Sequence, residues 1–314
     1  MEEYNSVNLF NPAQGSVVTI GTFDGVHIGH KAILEQVVSA AKANGLSSVL
    51  LTFFPHPRMV LQNDSSIKMI NTLDEKKDLL DQIGVDHMVV HPFTREFSRM
   101  TAMEYVRDIL VEKLQAKKVI IGYDHRFGRN RVADINDLRE FGSLYNFEVI
   151  EIGAQQLDEV SVSSTKIRNA LNSGDITTAN RYLGYKFSLS GQVVQGHGRG
   201  REMDFPTANL QLDQPYKIVP AHGVYLTQSR IDGTLRYGLT SIGTNPTFDG
   251  DQQSIETYFL DFKQDLYQQN IDLQFVAFLR DEQRFESAQE LITAIKGDEA
   301  KARKIIEQND PMAL

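Results

Sequence analysis

The feature that most constrains this chain is a change of rhythm near residue 184. Up to about Gly184, short apolar runs alternate with amphipathic stretches, the pattern of β-α-β units around a parallel sheet. Strands are expected at Ser16 to Ile20, Ser48 to Phe53, His87 to Val90, Lys118 to Ile121 and Glu148 to Ile152. Helices are expected at Lys31 to Asn44, Thr72 to Ile83, Ala102 to Leu114 and Ile135 to Tyr145. Thr72 with Glu75 and Thr101 with Glu104 have the S/T-x-x-E form that satisfies free amides at a helix start. Two short helices, Thr165 to Ser173 and Ile176 to Leu183, then lead to segments separated by Gly, Pro and Asp clusters. These are Phe187 to Gln195, Gly223 to Ser229, Leu235 to Ile242, Ser254 to Leu260 and Ile271 to Leu279, spaced as in a small antiparallel barrel. A last helix starts after Ser287, capped with Glu290, and runs towards Glu307. The expected fold is α/β: a doubly wound parallel-sheet domain over residues 1–184, then an antiparallel β-barrel with a C-terminal helix over 185–314. A length of 314 residues suits two domains of roughly 150.

Composition narrows the chemistry. Lys and Arg number 32 against 41 Asp and Glu, a formal charge of −9, which disfavours binding to nucleic acid or anionic membrane. A nucleotide-like ligand is therefore expected to be small and to arrive with a divalent cation. The absence of cysteine excludes disulfides, thiolate catalysis, zinc–cysteine sites and iron–sulfur clusters. The charged start, MEEYNSVNLF, does not read as a signal peptide, and no apolar run reaches the roughly 20 residues of a membrane helix. A soluble, cytoplasmic protein is expected.

The segment Gly21 to His30, GTFDGVHIGH, lies between the first expected strand and a helix, where α/β sheets bind ligands. Its glycines let backbone approach a ligand closely, and the helix start favours an anion. His27 and His30, three residues apart, can donate to one phosphate. A Gly-rich turn carrying two surface histidines is the plainer alternative. Further on, Ser163 to Arg168, SSTKIR, sets hydroxyls and free amides at a helix start with Arg168 one turn inward, a second anion site or a simple cap.

The stretch resembles the His-x-Gly-His signature of nucleotidyltransferases. In its longer form it resembles the N-terminal module of bacterial bifunctional riboflavin kinase/FAD synthetases. Phe54 to Pro57 (FPHP), Gly122 to Gly128 (GYDHRFG) and SSTKIR agree with that family. The resemblance implies ATP contacts at Gly21, Phe23, Asp24, Gly29, Ser164 and Thr165, and flavin contacts at Phe54, His56, Asp124 and Phe127, with Arg126, Arg129 and Arg131 nearby. It departs at His125, where Phe is usual, and at Asn130 and Ala133, which replace glycines.

In the second half, Gly196 to Arg201 (GHGRGR) can wrap a polyphosphate through backbone amides but is neither a Walker sequence nor a Rossmann fingerprint. In Pro206 to Asn209 (PTAN), Thr207 and Asn209 stand two apart on a strand and so share a face, as two oxygen ligands for Mg²⁺ would. The segment resembles the riboflavin kinase signature of the same family. That resemblance implies ATP contacts at Gly198 and Arg201, a general base at Glu256 and a ligand contact, taken as flavin, at Arg303. Ile242 to Phe248 agrees as well. Asp204 and Gln268 stand where Gly is usual, and Asn245 where a basic residue is common.

The chain is therefore expected to phosphorylate riboflavin to FMN with ATP, then to adenylylate FMN to FAD with release of pyrophosphate. Catalysis is expected from His27, His30, Arg168 and Glu256, with Mg²⁺ as cofactor. Riboflavin, FMN and ATP are the expected partners, without nucleic acid or membrane, and the sequence leaves the oligomeric state open. The alternatives are a one-activity FAD synthetase with an impaired kinase module and a non-catalytic flavin-binding regulator. Adenylyl transfer to another phosphate ester leaves the barrel motifs unexplained.

Overall fold

A computed structural model describes residues 1–62, 67–122, 125–153, 162–196, 205–247 and 250–309. It divides into two compact units, Met1–Ser164 and Thr165–Leu314. Among the described residues no helix is long and apolar enough to cross a membrane.

The first unit is a six-stranded, all-parallel sheet built from β1 (Glu2–Tyr4), β2 (Ser16–Ile20), β3 (Ser47–Phe54), β4 (His87–Pro92), β5 (Ala116–Gly122) and β6 (Glu148–Ile152). Their order across the sheet is β1-β4-β3-β2-β5-β6. From β2 the chain winds one way through β3 and β4, then returns to the other side for β5 and β6. The turn of direction, and with it the ligand crevice of such a sheet, falls at the carboxyl ends of β2 and β5. Strand side chains alternate between two cores. Val18, Ile20, Val49, Leu51, Val89, Val119 and Ile121 share one, and Val17, Leu50, Met88, Val90 and Ile120 share the other. The second core is closed by α1 (Ile28–Asn44) through Leu34, Val37 and Val38, and by α3 (Leu73–Ile83) through Leu80, after the short α2 (Pro57–Leu61). The expected Thr72–Glu75 and Thr101–Glu104 capping boxes both form. α4 (Ala102–Glu104) continues as a π-helix over Tyr105–Lys113, where an unbroken helix was expected, and α5 (Ile135–Tyr145) lies at its predicted bounds. The edges of the sheet are β1, three residues long with Glu2 and Glu3, and β6 with Glu148 and Glu151.

The second unit takes nearly all of α6 (Ser164–Asn172), then α7 (Ile176–Leu183) and the strands β7 (Ser188–Val194), β8 (Ala208–Leu212), β9 (Gly223–Ile231), β10 (Thr234–Thr247), β11 (Gly250–Phe259) and β12 (Asn270–Arg280). These strands form a closed antiparallel barrel in the order β10-β11-β8-β7-β12-β9. The strand β8 that completes it carries the second half of PTAN. One strand face packs Leu226 and Leu239 against Ala302 and Ile306 of α8 (Ala288–Asn309). The other carries Thr227, Thr240 and Thr257, buried and linked hydroxyl to hydroxyl at 2.8 Å. α7 is tied to the barrel through Asn180, whose carboxamide donates to Phe275 O (2.8 Å) and accepts the Phe187 N–H (2.7 Å).

Candidate active sites

In the first unit, the loop from Gly21 to His27 leaves β2 at the turn of the winding. Its backbone takes three left-handed residues: Phe23 (φ 42°), Gly25 (φ 90°) and Val26 (φ 35°). Glycine adopts this region freely, whereas Phe and Val do so only under strain of about 1–2 kcal/mol, which the surrounding structure must hold. The Phe23 ring is buried against Gly21 and lies 4.6 Å from the His30 ring, so this expected ATP contact presents backbone rather than an open aromatic face. Asp24 is also buried: its carboxylate accepts the backbone N–H groups of Ile70 (3.0 and 3.1 Å) and Asn71 (3.3 Å), and its carbonyl accepts the Ser164 hydroxyl (2.9 Å).

His27 and His30 stack with ring centroids 3.6 Å apart and 15° between planes. His27 is the N-cap of α1. Its Nδ1 accepts the His30 backbone N–H (3.3 Å), which places the ring proton on Nε2 as an outward donor. Burial pushes the His27 pKa down to about 4, with Asp24 opposing, and holds His30 well below the ordinary histidine range, aided by His27 and Lys76. Both rings are neutral at pH 7, and the His30 Nδ1 has no hydrogen-bond partner among the described residues. Gly29, between them, packs against the His27 ring.

Phe54 and His56 stand at the carboxyl end of β3, with His56 capping α2 by accepting the Arg58 N–H (3.1 Å). Asp124 lies outside the described residues. Phe127 is buried in the core, pairs with Ala133 in an isolated bridge, and stacks with His125 at 6.1 Å. The three departures are accommodated differently. His125 adds a ring face; Asn130 adopts the left-handed conformation (φ 57°) that Asn tolerates; and Ala133 is buried in the core. Thr165, exposed, and Arg168, half-buried, follow Ser164 on α6 and belong to the second unit.

Two features were not singled out from the sequence. Lys76, on α3, is buried beneath the Gly21–His27 loop and donates to Thr22 O (2.7 Å). An aromatic row runs from Phe53 and Phe93 through Phe97 to Tyr105 and Phe127, with successive centroids 5.5–6.0 Å apart. The buried Tyr105 hydroxyl in it has no partner among the described residues. For Lys76 the available signal was its place on the apolar stripe of its helix.

In the second unit, β8 and β11 pair with Asn209 opposite Glu256, and Thr207 Oγ1 donates to Glu256 Oε2 at 3.4 Å. Thr207, Asn209 and Glu256 are therefore brought together. The Asn209 carboxamide lies over Gly196, where an added Cβ would stand 2.2 Å from Nδ2 and 2.6 Å from Oδ1, so a larger residue would require the carboxamide to move. These hydroxyl, amide and carboxylate oxygens are hard donors of the kind a divalent cation takes, and the missing side chain at Gly196 leaves room for one of them. Tyr258 follows Glu256 on the same strand face and meets Phe205 edge-to-face at 5.1 Å. Arg303 on α8 donates to Asp261 (3.0 Å) and Glu299 (2.8 Å), so this expected flavin contact is held between two carboxylates. Gln268 takes φ 66°, confirming that the position asks for a left-handed residue. Gly198, Arg201 and Asp204 lie outside the described residues.

A family model of FAD synthetase matches residues 10–166, and one of riboflavin kinase matches residues 183–306. The bifunctional riboflavin kinase/FMN adenylyltransferase of Listeria monocytogenes is 36% identical over 289 residues, 91% of either chain. The chain belongs to this bifunctional family. Relatives of the same name in Escherichia coli and Pseudomonas fluorescens are 35% and 38% identical, covering 96% and 95% of either chain. A crystal structure titled a macrolide-efflux protein, from Streptococcus pneumoniae, shares the fold with a TM-score of 0.88 at 30% identity, over 96% of this chain and 98% of that one. With both family modules matched, the one-activity and non-catalytic readings have no support.

Proposed function

We propose that the chain phosphorylates riboflavin to FMN in a module of residues 185–314 and adenylylates FMN to FAD in a module of residues 1–184. Both reactions consume ATP and use a divalent metal, which we assign as Mg²⁺. The cytoplasm, where ATP is available, is the compartment this implies.

In adenylylation, an FMN phosphate oxygen bonds to the α-phosphorus of ATP as the bond to the β-phosphate oxygen breaks, and pyrophosphate leaves. The nucleophile is already an anion, so no protein base is required, and rate comes from positioning and charge stabilisation. The observation that carries this reading is the stacked His27–His30 pair at the head of α1, where a neutral imidazole donor and the positive end of the helix dipole would meet an anion. Gly21, Phe23, Asp24, Gly29, Ser164 and Thr165 would bound the nucleotide, with Arg168 adding charge. Phe54, His56, Asp124 and Phe127 would hold the flavin, next to the aromatic row ending at Phe127.

In phosphorylation, Glu256 accepts the proton of the riboflavin terminal hydroxyl as its oxygen bonds to the γ-phosphorus and ADP leaves. Thr207 and Asn209 would hold Mg²⁺, which when bound neutralises charge on the transferring phosphates. Gly198 and Arg201 would wrap those phosphates, and Arg303 would meet the flavin. Incubation of the full chain with riboflavin, ATP and Mg²⁺, with FMN and FAD separated by chromatography, tests the assignment. Both products are expected, FMN preceding FAD. Accumulation of FMN alone would remove the adenylyltransferase assignment.

A further inference from the structure

Lys76 breaks two local rules at once. Lysine is almost never fully buried, and a cation in the first turn of a helix opposes the helix dipole. Yet Lys76, four residues past the Thr72 N-cap of α3, lies on the apolar stripe between Leu73 and Leu80 and is only 2% exposed. Such conflicts between local preference and placement collect at functional sites.

Its contacts all lead to one loop. Lys76 Nζ donates to Thr22 O (2.7 Å), which also accepts the Thr52 hydroxyl (3.2 Å). The buried Asp24 carboxylate, two residues further along, interacts favourably with the Lys76 charge and fixes the backbone at Ile70 and Asn71. Between and beyond these anchors stand Phe23 and Val26, the two strained residues that turn the chain into His27. On α3 itself, Glu75 is occupied with the Thr72 N–H.

We propose that Lys76 is a positioning residue for adenylyl transfer: by holding the Thr22 carbonyl and balancing Asp24, it keeps the strained turn closed and the His27–His30 stack in place. The role rests on the assignment of adenylyl transfer to this loop. Burial lowers the Lys76 pKa to about 8, with Asp24 opposing. His30, whose protonation the Lys76 charge opposes, and its stacked neighbour His27 are both neutral well below that pH. Lys76 is thus the group in the cluster whose charge changes in mildly alkaline solution.

The test uses the full chain with FMN, ATP and Mg²⁺, alongside riboflavin phosphorylation as an internal control. Lys76→Met should lower kcat for FAD formation at least about tenfold with KM for FMN within about threefold, and leave FMN formation unchanged. Lys76→Arg should recover much of that loss. Wild-type FAD formation should decline through about pH 8, and the Lys76→Arg decline should be absent, because a guanidinium keeps its charge there. If Lys76→Met does not accumulate as folded protein, the wild-type pH profile and Lys76→Arg decide. A Lys76→Met enzyme within twofold of wild type, equal losses of FAD and FMN formation, or a wild-type profile flat from about pH 7 to 9.5 overturns the role. A wild type that makes FMN but never FAD overturns the underlying assignment instead.

Discussion

On the proposed assignment, the two units handle phosphates in opposite ways. The first sinks its chemistry into the structure: buried neutral imidazoles, an aspartate spent on backbone amides, a lysine under the loop, and strained backbone at Phe23 and Val26. The second mounts Thr207, Asn209 and Glu256 on the partly exposed face of paired barrel strands, with little backbone irregularity between them. The difference follows the nucleophiles. An FMN phosphate is already charged and needs only an aligned, desolvated partner, whereas an alcohol must lose a proton, and a carboxylate receiving it works best where it stays ionised.

The sharpest break of this contrast comes from the histidines. His27→Ala or His30→Ala should cut FAD formation by about 10²- to 10³-fold while FMN formation stays within twofold, measured by chromatography of both products. Loss of both products in parallel would collapse two sites into one. Glu256→Gln is the mirror experiment: FMN production should fall at least about 10²-fold with riboflavin affinity little changed, and FAD synthesis from supplied FMN should be intact.

Stability should separate the units as well. The His27 pKa is lowered in the folded state, so unfolded chain binds the proton more readily. Its contribution to stability is complete above about pH 6.5 and is lost as pH falls towards 4, of order 3 kcal/mol when fully protonated. Calorimetry of the ligand-free protein should show the first unit's transition dropping over that window, with the drop reduced in His27→Asn. Asn180→Ala strips partners from the Phe187 N–H and the Phe275 carbonyl, and should cost the barrel about 1–3 kcal/mol without moving the first unit's transition. The same bonds sharpen the module boundary: a fragment from Thr165 should melt higher than one from Tyr185. The smallest effect is expected from Gln268→Gly, which removes a left-handed side chain and should stabilise the barrel by about 1 kcal/mol.

Much of this was legible in the sequence, because both sites follow strands whose apolar runs are unmistakable, and because capping boxes mark where α3 and α4 begin. Other features were illegible for physical reasons. β1 has only three residues, too few for alternation to register, and β8, although Pro206 to Asn209 reads as strand, starts only at Ala208. Lys76 reads as a solvated helix lysine until the stripe of Leu73, Leu80 and Ile83 is drawn through it. Ala133 reads as a lost glycine, yet the structure uses its methyl group to fill the core beside Phe127. The sequence does not show that Arg303 is held by Asp261, 42 residues away, as well as by Glu299.

The strand borders carry a different lesson. A closed barrel offers a neighbouring chain no unpaired backbone, but an open sheet offers two rows of it, and in this sheet both rows bear glutamates: Glu2 and Glu3 on one margin, Glu148 and Glu151 on the other. Three of these are ion-paired, Glu3 with Lys77, Glu148 with Lys118 and Glu151 with Arg139, and a second copy extending the sheet would have to desolvate or displace those charges. In a crowded solution of nascent chains, that desolvation cost protects the unit with open margins, while ring closure protects the unit that has none.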